Sequence, residues 1–230
     1  IIKYLMFFFY KKADLVISNS KYGCQTLSKY TKSHGEFVYP LLENKIKHRK
    51  RKIKKKSIKI LTIGRFSEEK RIDFIIDTLR NSENLYFKFI ILGEGPLDTA
   101  LKKKIGSDNL RIKIFKFTKK REKFFLKNSD LYINSSDFEG FPNSVVDAIN
   151  YSVPVIASKS HGGIYEILGH GKNGFLFNQN NKSQLKKLLF LFYKNGSVFQ
   201  KKALLAHKNL NKFTPKKTIN KLERLIDKII

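Results

Sequence analysis

SIKILTIGRFSEEKRIDFIIDTL, residues 57–79, decides the fold. Ile58–Ile63 is a β-rich apolar run. Gly64 then lets the chain turn sharply away. Ile72, Ile75, Ile76 and Leu79 follow at the i, i+3, i+4, i+7 spacing of one buried helical face. The stretch therefore reads as a strand, a polar loop and an amphipathic helix. Outward from it the pattern repeats. Leu85–Leu92 is a strand, GEGP (93–96) punctuates it, and a helix carrying Leu97, Leu101 and Ile105 follows, with Pro96 suited to its first turn. Strands at Ile112–Phe115, Leu131–Ser135, Val153–Ser158 and Gly174–Phe177 alternate with helices at Arg121–Lys127, Asn143–Asn150 and Ile164–Leu168. This alternation predicts an α/β fold, a doubly wound parallel sheet with helices on both faces. In such sheets ligands sit beyond the carboxyl ends of the strands.

The flanks differ in composition. Residues 1–44 contain an apolar helix, a strand (Leu15–Ser18), a helix (Tyr22–Tyr30) and a strand (Glu36–Tyr39), too little to fold alone. Their first ten residues, IIKYLMFFFY, are about half a membrane span and lack a cleavage site. They read as a buried helix of an incomplete domain, with an interfacial, lipid-touching helix as the alternative. Residues 45–59, KIKHRKRKIKKKSIK, hold ten Lys or Arg in fifteen positions and read as an exposed linker. Residues 183–230 are helical; the last helix, after Thr214-Pro215, places Ile219, Leu222, Ile226 and Ile229 on one stripe.

Composition narrows the function. Of 230 residues, 47 are Lys or Arg and 19 are Asp or Glu, a net charge of +28. That charge predicts attraction to polyanions without choosing among nucleic acid, anionic lipid and phosphorylated ligands. The 41% of apolar residues excludes a disordered chain. A single cysteine, Cys24, excludes a disulfide framework, and five scattered histidines form no HxxxH-type metal motif.

Two strand-end loops carry candidate chemistry. In GRFSEEK (64–70), Arg65 and Lys70 project two cations near a helix start. With free backbone N–H groups they would clamp a diphosphate; the plain reading is solvated surface charge. In SSDFEGFPNSVVD (135–147), Glu139 and Asp147 lie eight residues apart across a turn and the start of a helix. Gly140 permits close approach to a ligand, and the helix starting near Pro142–Ser144 aims its amides at an anion. The plain reading is Asn143 or Ser144 as a helix cap and Asp147 as a solvated residue.

GRFSEEKRIDFIIDTL (64–79), ILGEGPL (91–97), SDLYINSSDFEGFPNSVVDAINYSVPVIAS (129–158) and GGIYEIL (162–168) occur in an order and spacing that resemble the C-terminal half of GT-B fold, family 4 (group 1 type) retaining glycosyltransferases. The EGFPNS form looks most like enzymes that build bacterial surface polysaccharides and lipid-linked oligosaccharides. ADLVISNSKYGCQTL (13–27) and VYPLLENKI (38–46) resemble the end of the family's N-terminal domain and its exit. The likeness extends from residue 13 to about residue 178.

The resemblance implies a division into a remnant of an acceptor-side domain (1–44), a basic linker (45–57), a donor-binding domain (58–212) and a C-terminal helix (213–230) returning toward the N-terminal part. It implies a nucleoside-diphosphate-sugar donor, expected to be UDP-linked, a lipid-linked or glycan acceptor, and no metal or other cofactor. Arg65 and Lys70 would bind the donor diphosphate, and Glu139 the sugar hydroxyls. The E-x7-E motif ends here in Asp147, one methylene short, for the ribose hydroxyls. Gly64, Gly140, Phe141, Pro142, Asn143 and Ser144 would line sugar and phosphate, with the base near Phe117. Glu139, Arg65 and Lys70 form the expected catalytic set. Most of the acceptor-binding domain is absent from this stretch of sequence, so donor binding with little or no transfer is expected of these residues alone. The expected location is cytoplasmic, peripheral on the inner face of the membrane, with the basic run meeting anionic lipid. A basic nucleic-acid- or membrane-binding module without catalysis is the competing reading. No RRM, KH or zinc-finger motif supports the nucleic-acid form of it. An epimerase or phosphorylase on the same fold is disfavoured by the EGFPN block.

Overall fold

The computed structural model describes residues 2–32, 35–42, 46–49, 57–82, 85–106 and 110–229. In chain order the elements are α1 (Ile2–Tyr10), β1 (Val16–Ser18), α2 (Lys21–Thr31), β2 (Gly35–Phe37), β3 (Ile58–Ile63), α3 (Ile72–Arg80), β4 (Phe87–Leu92), α4 (Asp98–Ile105), β5 (Ile112–Phe115), α5 (Lys119–Asn128), β6 (Leu131–Asn134), β7 (Phe138–Glu139), α6 (Asn143–Asn150), β8 (Val155–Ser158), β9 (His161–Gly162), α7 (Ile164–Leu168), β10 (Phe175–Phe177), α8 (Lys182–Lys194), α9 (Gly196–Asn209) and α10 (Pro215–Ile226).

Six parallel strands form the central sheet in the order β10-β8-β6-β3-β4-β5. Read from β5, this is the 3-2-1-4-5-6 order of doubly wound sheets, and the direction of winding reverses between β3 and β6. Side chains alternate across it. Ile58, Ile60, Phe87, Phe89, Ile91, Leu131, Ile133 and Ile156 pack on one face against α3, α4, α8 and Phe199 of α9. Leu61, Ile63, Leu92, Tyr132, Val155 and Ala157 pack on the other against α5, α6 and α7. Strands buried on both faces are why β3 reads as a continuous apolar run.

The fold places β3 and β6 side by side only as far as Leu61 and Tyr132, their last paired residues. Beyond that rung they part, and a crevice opens. The Tyr132 hydroxyl fills the gap at its base: it donates to the Ile63 carbonyl at 3.1 Å and accepts from the Ile63 amide at 3.3 Å. Burial pushes its pKa up, so the hydroxyl keeps its proton.

Outside the sheet, β1 and β2 pair in parallel through α2, and β7 pairs with β9. The short β7–β9 ladder has no clear sequence signal, because two-residue strands carry no periodicity. Two expectations need correction. Pro96 lies in the turn before α4, which begins at Asp98, rather than in its first turn. The apolar helix α1 is not buried: Phe8 and Phe9 are each 58% exposed, as its packing is against α2. In α10, Leu225 is the buried residue, and the Ile219, Leu222, Ile226 and Ile229 stripe stands in solvent. Lys221 of α10 reaches the N-terminal segment, 3.5 Å from Glu36 and 3.4 Å above the Phe37 ring.

Within the basic segment, Ile46–Arg49 is anchored rather than free. The Ile46 amide donates to Asn150 Oδ1, the Arg49 amide donates to Ser152 Oγ, and the Ile46 carbonyl meets His207 Nε2 at 2.7 Å. Residues 50–56, the densest part of the run, lie outside the described residues. Among the described residues no helix is long and apolar enough to cross a membrane.

Candidate functional site

A cavity of about 810 Å³ occupies the crevice at the carboxyl ends of β3 and β6. Gly64, Arg65, Lys70, Phe117, Glu139, Phe141, Pro142, Asn143, Ser144 and Asp147 line it. These are ten of the eleven positions singled out in the sequence. The eleventh, Gly140, faces elsewhere. A Cβ there would lie 3.1 Å from the Asn19 side-chain amide, so the close neighbour at Gly140 is the N-terminal segment.

The loop after β3 is held by backbone hydrogen bonds, two of them to the end of β4 and the turn beyond it. The amides of Gly64, Phe66 and Ser67 donate to Leu92, Glu94 and Arg65 carbonyls. The expectation of free N–H groups in this loop is therefore corrected for these three: it supplies cations rather than an amide cradle. Phe66 is sealed beneath the loop, and Arg65 is left exposed at the cavity wall. A short 3-10 turn, Glu68–Lys70, then swings Lys70 back over the crevice.

Lys70 Nζ lies 2.7 Å from Glu139 Oε1. The same oxygen accepts from Ser136 Oγ at 2.6 Å and from Asn134 Nδ2 at 3.2 Å. Glu139 is 8% exposed, and a carboxylate so buried needs such partners. Among the described residues its second oxygen, Oε2, has no hydrogen-bond partner. The loop carrying Glu139 is fixed on both sides. Ser135 Oγ donates to the Lys70 and Arg71 carbonyls at 2.8 Å, and Arg71 pairs with Asp137 at 3.1 Å. On the far side β9 passes so close that a Cβ on Gly162, at φ +120°, would lie 1.3 Å from the Glu139 carbonyl oxygen.

α6 starts at Asn143, with its N-terminus on the cavity and no side chain capping it. This end carries the positive pole of the helix. The cavity thus gathers three cations (Arg65, Lys70 and Lys119), a helix N-terminus and four carboxylates (Glu94, Glu122, Glu139 and Asp147).

Several lining residues had no sequence assignment: Gly93, Glu94 and Gly95 after β4, Pro40–Leu42 from the N-terminal exit, and Lys119 and Glu122 on α5. Gly93 carried a signal in the GEGP turn, and the structure gives its cause: a Cβ there would lie 1.9 Å from the Gly64 carbonyl oxygen. Lys119 fell outside the helix expected from Arg121, and Glu122 fell within it without a distinguishing pattern. Thr118 caps α5, its Oγ1 accepting from the Arg121 amide at 3.1 Å, so the helix begins two residues earlier.

The family profile for glycosyl transferases group 1 matches residues 43–212. The chain belongs to this family. It is 30% identical over 176 residues to an uncharacterized glycosyltransferase of Methanocaldococcus jannaschii, covering 70% of this chain and 43% of that protein. It is 28% identical over 190 residues to the Campylobacter jejuni N-acetylgalactosamine-N,N'-diacetylbacillosaminyl-diphospho-undecaprenol 4-alpha-N-acetylgalactosaminyltransferase, covering 80% of this chain and 52% of that enzyme. The chain thus spans about half the length of the curated relatives it matches. Among solved structures, Anabaena HepE in complex with UDP and glucose superposes with a TM-score of 0.83 at 18% identity, over 98% of this chain and 66% of that one. The fold is that of GT-B glycosyltransferases.

Proposed function

We propose that this chain is the donor-binding part of a glycosyltransferase that moves a sugar, with retention of configuration, from a nucleoside diphosphate sugar to a lipid-linked or polysaccharide acceptor. The observation that carries this reading is the convergence of Arg65, the Lys70–Glu139 pair and the α6 N-terminus on one cavity at the switch point of the sheet. HepE, of like fold, is described in complex with UDP, and the Campylobacter relative is named for a diphospho-undecaprenol-linked acceptor. UDP is accordingly the first donor nucleotide to test.

In this reading Arg65, Lys70 and the α6 amides at Asn143 and Ser144 hold the diphosphate. Negative charge grows on it as the glycosidic bond breaks, and cations fixed beforehand stabilise that charge without reorganising. The reading assigns this task to no metal. Glu139 offers Oε2 to a sugar hydroxyl while Oε1 stays with Lys70, Ser136 and Asn134. Asp147 takes the ribose hydroxyls, and Phe117 flanks the base. Gly140, through Asn19, sets the boundary with the acceptor side. Residues 1–44 would belong to an acceptor-side unit and residues 58–212 to the donor unit. The basic segment 45–57 joins them and meets anionic lipid on the cytoplasmic face, and residues 213–230 return to the first unit.

Calorimetric titration tests the reading. UDP and UDP-sugars bind the chain, and Arg65→Ala weakens both by roughly tenfold or more. Glu139→Gln weakens UDP-sugar while UDP alone keeps its affinity. Absence of binding by any nucleoside diphosphate overturns the reading. Transfer to an undecaprenyl-diphosphate-linked acceptor, compared between this chain and an N-terminally extended one, tests the division of labour; equal rates would count against it.

A further inference from the structure

A narrow recess of about 120 Å³ opens off the nucleotide cavity between α5 and α6. Three residues line both spaces: Lys119 and Glu122 on α5 and Asp147 on α6. Glu122 is the unusual one. It is 5% exposed, on a helix whose face toward the sheet is otherwise apolar. Its one ion pair within the described residues is with Lys119, 2.9 Å away, a side chain itself about half exposed. It stands in the first turn of α5, where the helix pole eases a negative charge. A carboxylate has about four lone-pair sites, and the pair with Lys119 uses one oxygen of a side chain that lines the recess. A buried carboxylate is costly to leave so thinly partnered unless it has a further use.

We infer that Glu122 is a second nucleoside-reading carboxylate, which accepts hydrogen bonds from N–H or O–H groups of the donor's nucleoside beside Asp147. The chemistry follows from the wall itself. While the Lys119 ammonium on the same wall is engaged with Glu122 itself, the two carboxylates accept and do not donate, so they favour a group rich in donors. Ribose hydroxyls and nucleobase N–H groups share that property. Asp147 is one methylene shorter than the glutamate of the E-x7-E motif, and Glu122 approaches the same space from the opposite helix. The inference rests on the nucleotide-sugar reading above and adds to it a residue that sets which nucleoside is held.

The test uses calorimetric titration of this chain with UDP, GDP and inorganic pyrophosphate. Glu122→Gln keeps the shape of the side chain and removes its charge. It weakens the preferred nucleoside diphosphate roughly tenfold or more and leaves pyrophosphate binding unchanged. With 2′,3′-dideoxy-UDP, a loss that vanishes supports a contact to ribose, and a loss that persists supports a contact to the base. Circular dichroism melting accompanies each variant, and Glu122→Asp restores part of the affinity. A Glu122→Gln variant that melts earlier yet binds UDP and GDP as tightly as the parent overturns the inference and leaves the nucleotide-sugar reading standing. A parent chain that binds neither nucleotide overturns both.

Discussion

Phe89, in the middle of the six-stranded sheet, is sealed from solvent, whereas Phe8, on the first helix, is 58% exposed. Both sit in predominantly apolar runs that mix aromatic and aliphatic residues. The difference lies in what surrounds them. The six strands of the central sheet have helices on both faces, so most of their apolar side chains meet another layer. Among the described residues the N-terminal segment has one βαβ unit of two three-residue strands, and α1 and α10 carry apolar faces that no second layer covers. Apolar composition alone does not bury a helix; the number of layers around it does.

The largest expected effect breaks the comparison at its strong end. Phe89→Ala lowers the unfolding free energy by about 3–5 kcal/mol, while Phe8→Ala stays within about 0.5 kcal/mol. Urea denaturation measures both, and similar losses would mean that α1 is buried in solution. Next comes the crevice. Tyr132→Phe strips the Ile63 amide and carbonyl of their hydroxyl partner, and the cost is about 1–3 kcal/mol. Unchanged stability would show that Ile63 finds other partners.

The join between the regions gives a smaller effect. The Tyr39 hydroxyl donates to Glu166 Oε2 at 2.7 Å, and the Tyr22 amide donates to Oε1 of the same carboxylate at 3.2 Å. Tyr39→Phe removes about 1 kcal/mol and increases proteolysis of the N-terminal segment before that of the sheet. Simultaneous cleavage of both would show that they unfold as one unit.

The smallest effect depends on pH. Burial pushes the Asp77 pKa up, but hydrogen bonds from Lys104 and Lys182 outweigh it and hold the carboxyl below its usual range. A depressed folded-state pKa contributes stability above the ordinary carboxylate pKa, and that contribution disappears as pH falls through the folded value. Asp77→Asn therefore costs up to about 1 kcal/mol near neutrality and nothing in strong acid. A difference that persists below that range would point to lost packing instead.

The strongly periodic parts were legible in sequence. Ile58–Ile63, Ile112–Phe115, Asn143–Asn150 and Ile164–Leu168 coincide with the observed elements, because side chains buried on both sheet faces or along one helix stripe leave a pattern. The fate of α1 was not legible, since an apolar run shows that a partner is wanted, not that one is there. At the site, the ten cavity-lining positions were legible through glycine, cation and carboxylate spacing. Glu122 was not, because its importance comes from burial beside Asp147, a residue of another helix.

Gly162 has a consequence for how substitutions map onto this protein. Any side chain there displaces the Glu139 carbonyl, although Gly162 does not line the cavity. A saturation library scored for sugar transfer by a complete enzyme should show a blank column at position 162 beside tolerant exposed neighbours such as Lys159. The intolerance would mark the fit between two loops, and a map coloured by tolerance would show a footprint wider than the surface that ligand touches.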